Sequence, residues 1–291
     1  MVRPLASDRS AISDWIVLLA LVVAVVVVLG VYFVVFTPTP PPPVARASLG
    51  DQVKVDYIGY FQSDNLVFDT SLQSVASDNV SYPKAYSFAW KSSWTPLQFT
   101  IGDGSVVPGF DQGVRGLSVG QTTTIPVPYS EGYGPADPSK VFVHSLVETI
   151  PVHVTMNQSA FASYYGQSAL SATNVSDPIY GWSVTVSIFS GFVNITNSPY
   201  PSEVIHPYRA WTAVVLSVDD TANNGKGLIT IQNQLTSEQV DRIGGTAPGG
   251  QTFYLSAVDS SAGTYTLDFN KQIVGRTLVF QVTLVSLSSL F

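Results

Sequence analysis

Cysteine is absent from this chain and histidine is scarce, which limits thiol and metal chemistry. The absence of cysteine excludes thiol nucleophiles, thiolate metal sites and disulfides. The three histidines, His144, His153 and His206, do not have the spacing of a metal-binding motif. We therefore predict neither a metal site nor a cofactor.

A carboxylate and a phenol lie next to aromatic or glycine-rich sequence. Asp69 directly follows Phe68 in the run LVFDTS, and Tyr133 lies in the turn EGYG. Each has an ordinary explanation by itself, because an isolated phenylalanine is usually core and Asp69 alone could be a cap or turn residue. As a set they favour an apolar pocket with two polar groups, but both interpretations stay open on these residues alone.

The elements that would position these residues are mainly strands. Val53, Val55 and Tyr57 alternate with polar residues, as in a half-buried strand. The segments Pro96–Gly102 and Thr277–Leu287 alternate in the same way. We predict a sheet that contains all three.

One short helix is predicted between these strands. It begins after Pro108 and ends near Gly116, and Phe110, Val114 and Leu117 recur at helical spacing. That spacing directs one apolar face toward the sheet.

In order and spacing, these segments resemble the FKBP-type peptidyl-prolyl cis-trans isomerases. The matching runs are VDYIGYF, VFDTS, PLQFTIGDGSVVPGFDQGVRGLSVGQ, EGYGPADP and GRTLVFQVTL. Residues 71–95 lengthen the connection between two of these runs, as in long archaeal members of the family. The resemblance implies an α+β fold, in which an FKBP-like antiparallel β-sheet wraps on a short helix.

The resemblance also implies prolyl isomerase activity and assigns site residues by motif. The implied catalytic residues are Tyr57, Asp69 and Tyr133. The implied substrate-binding residues are Phe68, Leu97, Phe99, Val106, Val107, Phe110 and Phe280. Substrates would be proline-containing, unfolded or partly folded polypeptides.

Such a site would use no nucleophile. The Val107 N–H and the Tyr133 hydroxyl would hold substrate carbonyls, and Asp69 would act electrostatically. Two positions depart from the family pattern, because Phe110 stands where tryptophan is usual and Leu97 where an aromatic residue is frequent. Both departures keep the pocket apolar.

The overall charge argues against nucleic acid as a partner. The formal net charge is −7, and no basic cluster offsets it. Such a surface repels phosphate backbones.

The N-terminal region predicts a membrane anchor. Residues 15–36 carry no charge and are long enough to cross a bilayer, which implies contact with lipid. Arg3 and Arg9 precede this segment, so the positive-inside rule predicts a cytoplasmic N-terminus (1–14) and an extracellular body. A proline-rich linker (37–47) follows, and the small residues around Arg46 leave cleavage there as an alternative.

The remaining sequence divides the body further. We expect a discontinuous isomerase domain, 48–147 plus 268–291, interrupted by a mainly-β insertion at 148–267 that resembles an insert-in-flap chaperone domain. Within it, strands are predicted at Trp182–Thr196, Trp211–Val218, Gly227–Gln232 and Gln251–Val258, with one short helix at Thr236–Gly245.

Three functions are compatible with these patterns. The first is a prolyl isomerase whose insertion acts as a chaperone on exported or cell-surface proteins. The second is an FKBP-fold binding protein that is catalytically weak or inactive, and the third is a structural or adhesive surface protein. The exposed or core status of Tyr164, Tyr165, Phe189 and Tyr200 bears on this choice, because exposed aromatic residues can bind unfolded chains.

Overall fold

The computed structural model of the protein describes residues 10–36 and 44–289. The chain divides into an N-terminal unit, Met1–Val44, and a body, Ala45–Phe291. Most of the predicted cytoplasmic terminus and linker, residues 1–9 and 37–43, lies outside the described residues.

The described residues of the N-terminal unit include one helix, α1, Ser10–Phe36. Its residues from Asp14 to Phe36 are exposed, and those after Asp14 are uncharged. At about 1.5 Å per residue these 23 residues extend about 35 Å, against about 30 Å for a hydrocarbon core. The helix is therefore long and apolar enough to span a membrane.

The body is mainly β-structure with four short α-helices among its described residues. The helices are α2 (Gln73–Ser77), α3 (Pro108–Val114), α4 (Gln158–Tyr165) and α5 (Ala222–Gly225), the last a single turn in which Asn223 and Asn224 have positive φ. The strands are β1 (Gln52–Phe61), β2 (Val67–Thr70), β3 (Leu97–Thr100), β4 (Thr122–Val127), β5 (Val141–Ser145), β6 (Val147–Ile150), β7 (His153–Asn157), β8 (Thr173–Ser176), β9 (Ser183–Phe189), β10 (Phe192–Asn197), β11 (Val204–Ile205), β12 (Ala213–Asp219), β13 (Leu228–Asn233), β14 (Gly244–Thr246), β15 (Thr252–Asp259), β16 (Thr264–Asp268) and β17 (Leu278–Ser288).

The first sheet joins the two ends of the body. Its order is β2-β1-β17-β4, and β3 also pairs with β1; all of these pairs are antiparallel. The strand predicted at Thr277–Leu287 is β17, and it lies between β1 and β4. The sequence alternation of β1 matches its burial, since Val53, Val55 and Tyr57 are buried.

Helix α3 packs on this sheet as its sequence predicts. Val107 is the N-cap residue and Pro108 the first helical residue, where a missing N–H costs nothing. Phe110 and Val114 are buried in the core cluster of the sheet. The helix ends before Gly116, whose φ of +81° suits glycine.

Three further four-stranded sheets lie between β4 and β17. Their orders are β7-β10-β9-β8, β11-β12-β13-β6 and β14-β15-β16-β5. Strand β5 belongs to the last of these because it pairs with β16. Residues 141–145, which we expected in the first domain, are thus hydrogen-bonded to the later sheet.

Two tryptophans occupy the cores of these sheets and have satisfied indole N–H groups. Trp182 donates to Asn197 Oδ1 at 3.0 Å, and Trp211 donates to Asn233 Oδ1 at 2.8 Å. Each tryptophan thus combines apolar burial with a paired polar atom, which avoids the cost of an unsatisfied donor.

Two sequence predictions for this region need correction. The single run at Trp182–Thr196 is a hairpin, β9 and β10, with Ser190 and Gly191 at positive φ in the turn. The helix predicted at Thr236–Gly245 is only a 3-10 turn, Ser237–Gln239, although its capping box forms.

The four aromatic residues left open by the sequence fall into two groups. Tyr165 stacks on Phe161 at 4.4 Å between ring centroids, and the Tyr164 hydroxyl donates to Asp177. Phe189 and Tyr200 are 74% and 65% exposed. The first pair is therefore structural, and the second pair is free to contact a partner.

Candidate active site

A cavity of about 510 Å³ opens above helix α3 and the first sheet. Nine of the ten predicted site residues line it: Tyr57, Phe68, Asp69, Leu97, Val106, Val107, Phe110, Tyr133 and Phe280. They come from β1, β2, β3, the start of α3, the turn after β4, and β17. The fold therefore brings together residues that are as much as 223 positions apart, from Tyr57 to Phe280.

The tenth residue, Phe99, does not line the cavity. It is buried, and its ring centroid lies 5.9 Å from that of Phe110. Leu97 and Phe99 point to the same side of β3, since side chains alternate along a strand. Leu97 reaches the cavity, whereas Phe99 supports the cavity floor from below.

Aromatic rings in edge-to-face contact form the walls and floor. The ring centroid of Phe280 lies 5.0 Å from that of Phe110 and 5.6 Å from that of Phe68, with near-perpendicular planes. Tyr57 adds a third edge contact, 6.2 Å from Phe110. Such pairs are stabilising beyond their buried area, so the cavity is held in shape without a substrate.

Gly59 makes the close approach of these rings possible, and sequence reasoning missed it. A Cβ at this position of β1 would lie 2.8 Å from Phe68 Cζ and 2.9 Å from Phe280 Cε1. Real Cβ atoms do not come that close, so only glycine lets both rings lie against the strand. The signal in the sequence is a glycine inside an otherwise alternating strand, which marks a close approach.

A polar group of three side chains lies at the rim. The Tyr57 hydroxyl donates to Asp69 Oδ2 at 2.6 Å, and Lys91 Nζ lies 2.7 Å from Asp69 Oδ1. Lys91 also donates to the Tyr57 hydroxyl at 3.1 Å and to the Thr70 carbonyl at 2.8 Å. Lys91 was not among the predicted site residues, because its contact with Asp69 spans 22 positions of sequence.

Burial raises the pKa of Tyr57 far above its ordinary value, and Asp69 raises it further. The hydroxyl is therefore neutral at physiological pH and acts as a fixed hydrogen-bond donor. Its donation leaves Asp69 held between a phenol and an ammonium group, in a fixed position facing the cavity.

Tyr133 lines the same cavity from the turn after β4. It is 48% exposed, and its turn is fixed by the bond from the Gly134 N–H to the Tyr129 carbonyl, 2.8 Å. Burial first, and then the nearby Asp69 carboxylate, raise the pKa of Tyr133. Its hydroxyl is thus a neutral donor available to a ligand.

The loop before α3 is fixed by a buried carboxylate. Asp111 accepts a hydrogen bond from the Gly102 N–H at 2.6 Å and pairs with Arg115 at 2.9 Å. The carbonyl of Val107 accepts from the N–H groups of Phe110 and Asp111. These bonds place the cavity edge formed by Val106 and Val107.

Within the described residues, no group of three histidine, aspartate or glutamate side chains is arranged to hold a metal ion. The cavity instead offers an apolar enclosure with one carboxylate and two neutral phenols at its edge. This arrangement suits binding of an apolar ring with adjacent amide groups and requires no covalent step.

Comparison with known proteins identifies similar sequences. Residues 44–157 match the family model described as FKBP-type peptidyl-prolyl cis-trans isomerase. A short-type peptidyl-prolyl cis-trans isomerase of Methanocaldococcus jannaschii is 36% identical over 103 residues, which is 35% of this chain and 56% of that protein. An FK506-binding protein 2 of Yarrowia lipolytica is 31% identical over 110 residues, 35% of this chain and 62% of that protein. The chain thus spans less than two thirds of the length of these relatives.

Proposed function

We propose that this chain, which contains a domain of the FKBP-type peptidyl-prolyl cis-trans isomerase family, catalyses rotation about X–Pro bonds in polypeptides. One observation carries the proposal: the aromatic cavity has Tyr57, Asp69 and Tyr133 together at its rim. The relatives are themselves named as isomerases or FK506-binding proteins.

The reaction needs a site that prefers the twisted amide. Amide resonance gives rotation a barrier of about 18–20 kcal/mol, and the planar amide is the more charge-separated form. Inside the cavity, Phe68, Phe110 and Phe280 would enclose the proline ring and exclude water that stabilises the planar form. Each reduction of about 1.4 kcal/mol in the barrier gives a tenfold faster rotation.

The polar rim would orient the substrate. The Tyr133 hydroxyl would donate to a substrate carbonyl, and the Val107 N–H would hold a second one. Asp69 would place negative charge beside the rotating amide, with Tyr57 and Lys91 fixing its position. Phe110 and Leu97 supply apolar contact where relatives usually have larger aromatic groups, so affinity persists with less contact area.

We further propose that the body has two parts, with the sheets between β4 and β17 acting as an insert-in-flap-like chaperone module. Support comes from β17, which returns to the first sheet after the three other sheets are complete. The exposed rings of Phe189 and Tyr200 offer apolar contacts for unfolded polypeptides. Because β5 pairs with β16, the module begins near Val141 rather than after residue 147.

For location, we propose that α1 spans the cell membrane, with the N-terminus in the cytoplasm and the body outside. The length of α1 and the position of Arg3 and Arg9 before it support this topology. Protease added to intact cells should digest the body and spare the terminus. If the body is protected in intact cells, it lies in the cytoplasm and the proposed topology is wrong.

Two assays separate the proposed function from its rivals. The full chain in detergent should accelerate isomerisation of a proline peptide and suppress aggregation of an unfolded protein. Suppression without acceleration would favour the binding-only FKBP-fold protein. If the chain shows neither activity, the structural or adhesive surface protein is the remaining hypothesis.

A further inference from the structure

A second cavity, of about 740 Å³, adjoins the candidate active site. It shares Phe68, Asp69 and Tyr133 with the first cavity, so the two are continuous at the polar rim. Its volume lies within the range of about 300–1,000 Å³ typical of ligand pockets. The shared residues make it an extension of the site and not a separate one.

Two segments that are far apart in sequence form its other walls. One is residues 86–91, from the lengthened connection between β2 and β3. The other wall consists of residues 252–254 of β15 and residues 270–273 after β16. Both walls therefore come from parts of the chain added to the sheet that carries the first cavity.

The wall at 86–91 is attached at both of its ends. Lys91 binds Asp69 and the Thr70 carbonyl, as described for the rim. At the other end the Tyr86 N–H donates to the Asp241 carbonyl at 2.8 Å, and the Ser87 N–H donates to Gln272 Oε1 at 2.9 Å.

Gln272 is a buried side chain that joins the two walls. It is 3% exposed, and its Nε2 donates to the Asp241 carbonyl at 2.8 Å while its Oε1 accepts from Ser87. Asp241 in turn is ion-paired with Arg276. A buried amide with both ends satisfied is costly to disrupt, so the cavity is preformed.

The lining is mostly apolar and aromatic. Tyr86 contributes an exposed ring that lies against Gly244, where a Cβ would be only 2.7 Å from Tyr86 Cε1. The Lys91 charge is compensated by Asp69 at the rim. The apolar and aromatic part of the lining therefore suits an aromatic side chain, and Lys271 adds a second positive charge to the wall.

We propose that this second cavity is an extended substrate subsite, which binds the residues upstream of the X–Pro bond and prefers an aromatic side chain there. The proposal rests on the proposed isomerase function. It concerns the chain beyond the residue that directly precedes proline.

The direction in which the substrate chain runs follows from the residues that the two cavities share. The rotating carbonyl belongs to the residue before proline, and Asp69 and Tyr133 are the groups placed to contact that amide. Both residues also line the second cavity. The upstream chain therefore leaves the first cavity at the shared rim, whereas the downstream chain leaves past Val107.

The test uses peptides with alanine directly before proline and either phenylalanine or alanine two positions before it. Isomerisation by the full chain in detergent is followed by NMR exchange, which needs no coupling protease. We expect kcat/KM to be about fivefold higher for the phenylalanine peptide, as for one partly buried aromatic contact. The same substitution two positions after proline should change nothing.

The variant Tyr86→Ala should reduce the upstream preference to less than about twofold. Tyr82→Ala is the matched control, because Tyr82 is an equally exposed tyrosine of the same connection that does not line the cavity. It should retain the full preference, as should Tyr86→Phe.

Three outcomes would overturn the inference. Equal rates for the upstream phenylalanine and alanine peptides would remove the subsite while leaving the isomerase function intact. A preference seen only downstream of proline would reverse the direction. If the chain accelerates no peptide, the proposed isomerase function is refuted, and the subsite proposal that rests on it is refuted as well.

Discussion

Replacing Phe110 by alanine separates the catalytic role of this ring from its role in the core. Phe110 is 3% exposed and contacts the rings of Phe280 and Phe99. Truncating a buried phenylalanine costs about 3–5 kcal/mol of unfolding free energy. Because domains are typically stable by about 5–15 kcal/mol, we expect the variant to fold at low temperature with a lower Tm.

The effect on catalysis can be worked out from the cavity. Phe110 forms the floor, so it would cover one face of the substrate proline ring. Three ring CH2 groups at about 0.8 kcal/mol each give roughly 2.4 kcal/mol for full burial, and one of two faces gives roughly 1.2 kcal/mol. We therefore expect kcat/KM to fall by roughly eightfold for the folded variant.

Phe161→Ala is the matched control. Phe161 is 1% exposed and packs in the core of the β7–β10 sheet, away from the cavity. It should lose a similar stability in urea unfolding and keep the wild-type kcat/KM. Phe110→Leu, which retains an apolar floor, should lose less activity than Phe110→Ala. Equal activity losses in Phe110→Ala and Phe161→Ala, or full activity in Phe110→Ala, would refute the reasoning.

Three further predictions concern the rim and the cavity walls. Tyr57→Phe removes the donor to Asp69 and should reduce kcat/KM by about tenfold, for a charge-assisted bond of about 1.5 kcal/mol; unchanged kinetics would show that the hydroxyl is dispensable. Gly59→Ala should push the Phe280 ring from its position and lower both Tm and peptide affinity, measured by calorimetry; wild-type affinity would contradict the close approach. Because burial and Asp69 raise the pKa of Tyr133, its hydroxyl stays protonated, and kcat/KM should be constant from about pH 6 to about pH 9. A loss of kcat/KM centred near pH 8 would exclude Tyr133 as a neutral donor.

The parts of the site that the sequence predicts are those encoded by local pattern. Alternation places β1 and β17, and Pro108 marks the start of α3. The order of the motifs along the chain then predicts that Phe68, Phe110 and the other cavity residues line one pocket. Phe99 is the exception, because alternation gives the face of a strand but not the depth of a residue beneath that face.

Residues that act through distant contacts carry no local signal. Lys91 and Gln272 reach partners 22 and 185 positions away, so nothing near them in sequence reveals their contacts. The predicted helix at Thr236–Gly245 fails for a related reason. Val240 already has a non-helical ψ of 136°, and Asp241 has a positive φ of 61° and is bound to Arg276. The segment therefore makes a tertiary ion pair instead of continuing the helix.

The most direct test of the central claim is the rate of cis–trans exchange in a proline peptide, measured by NMR with the full chain in detergent micelles. The account predicts exchange faster than the spontaneous rate in proportion to the protein concentration, and saturation as the peptide fills the cavity. An exchange rate equal to the spontaneous one, for peptides that bind the cavity, would contradict it.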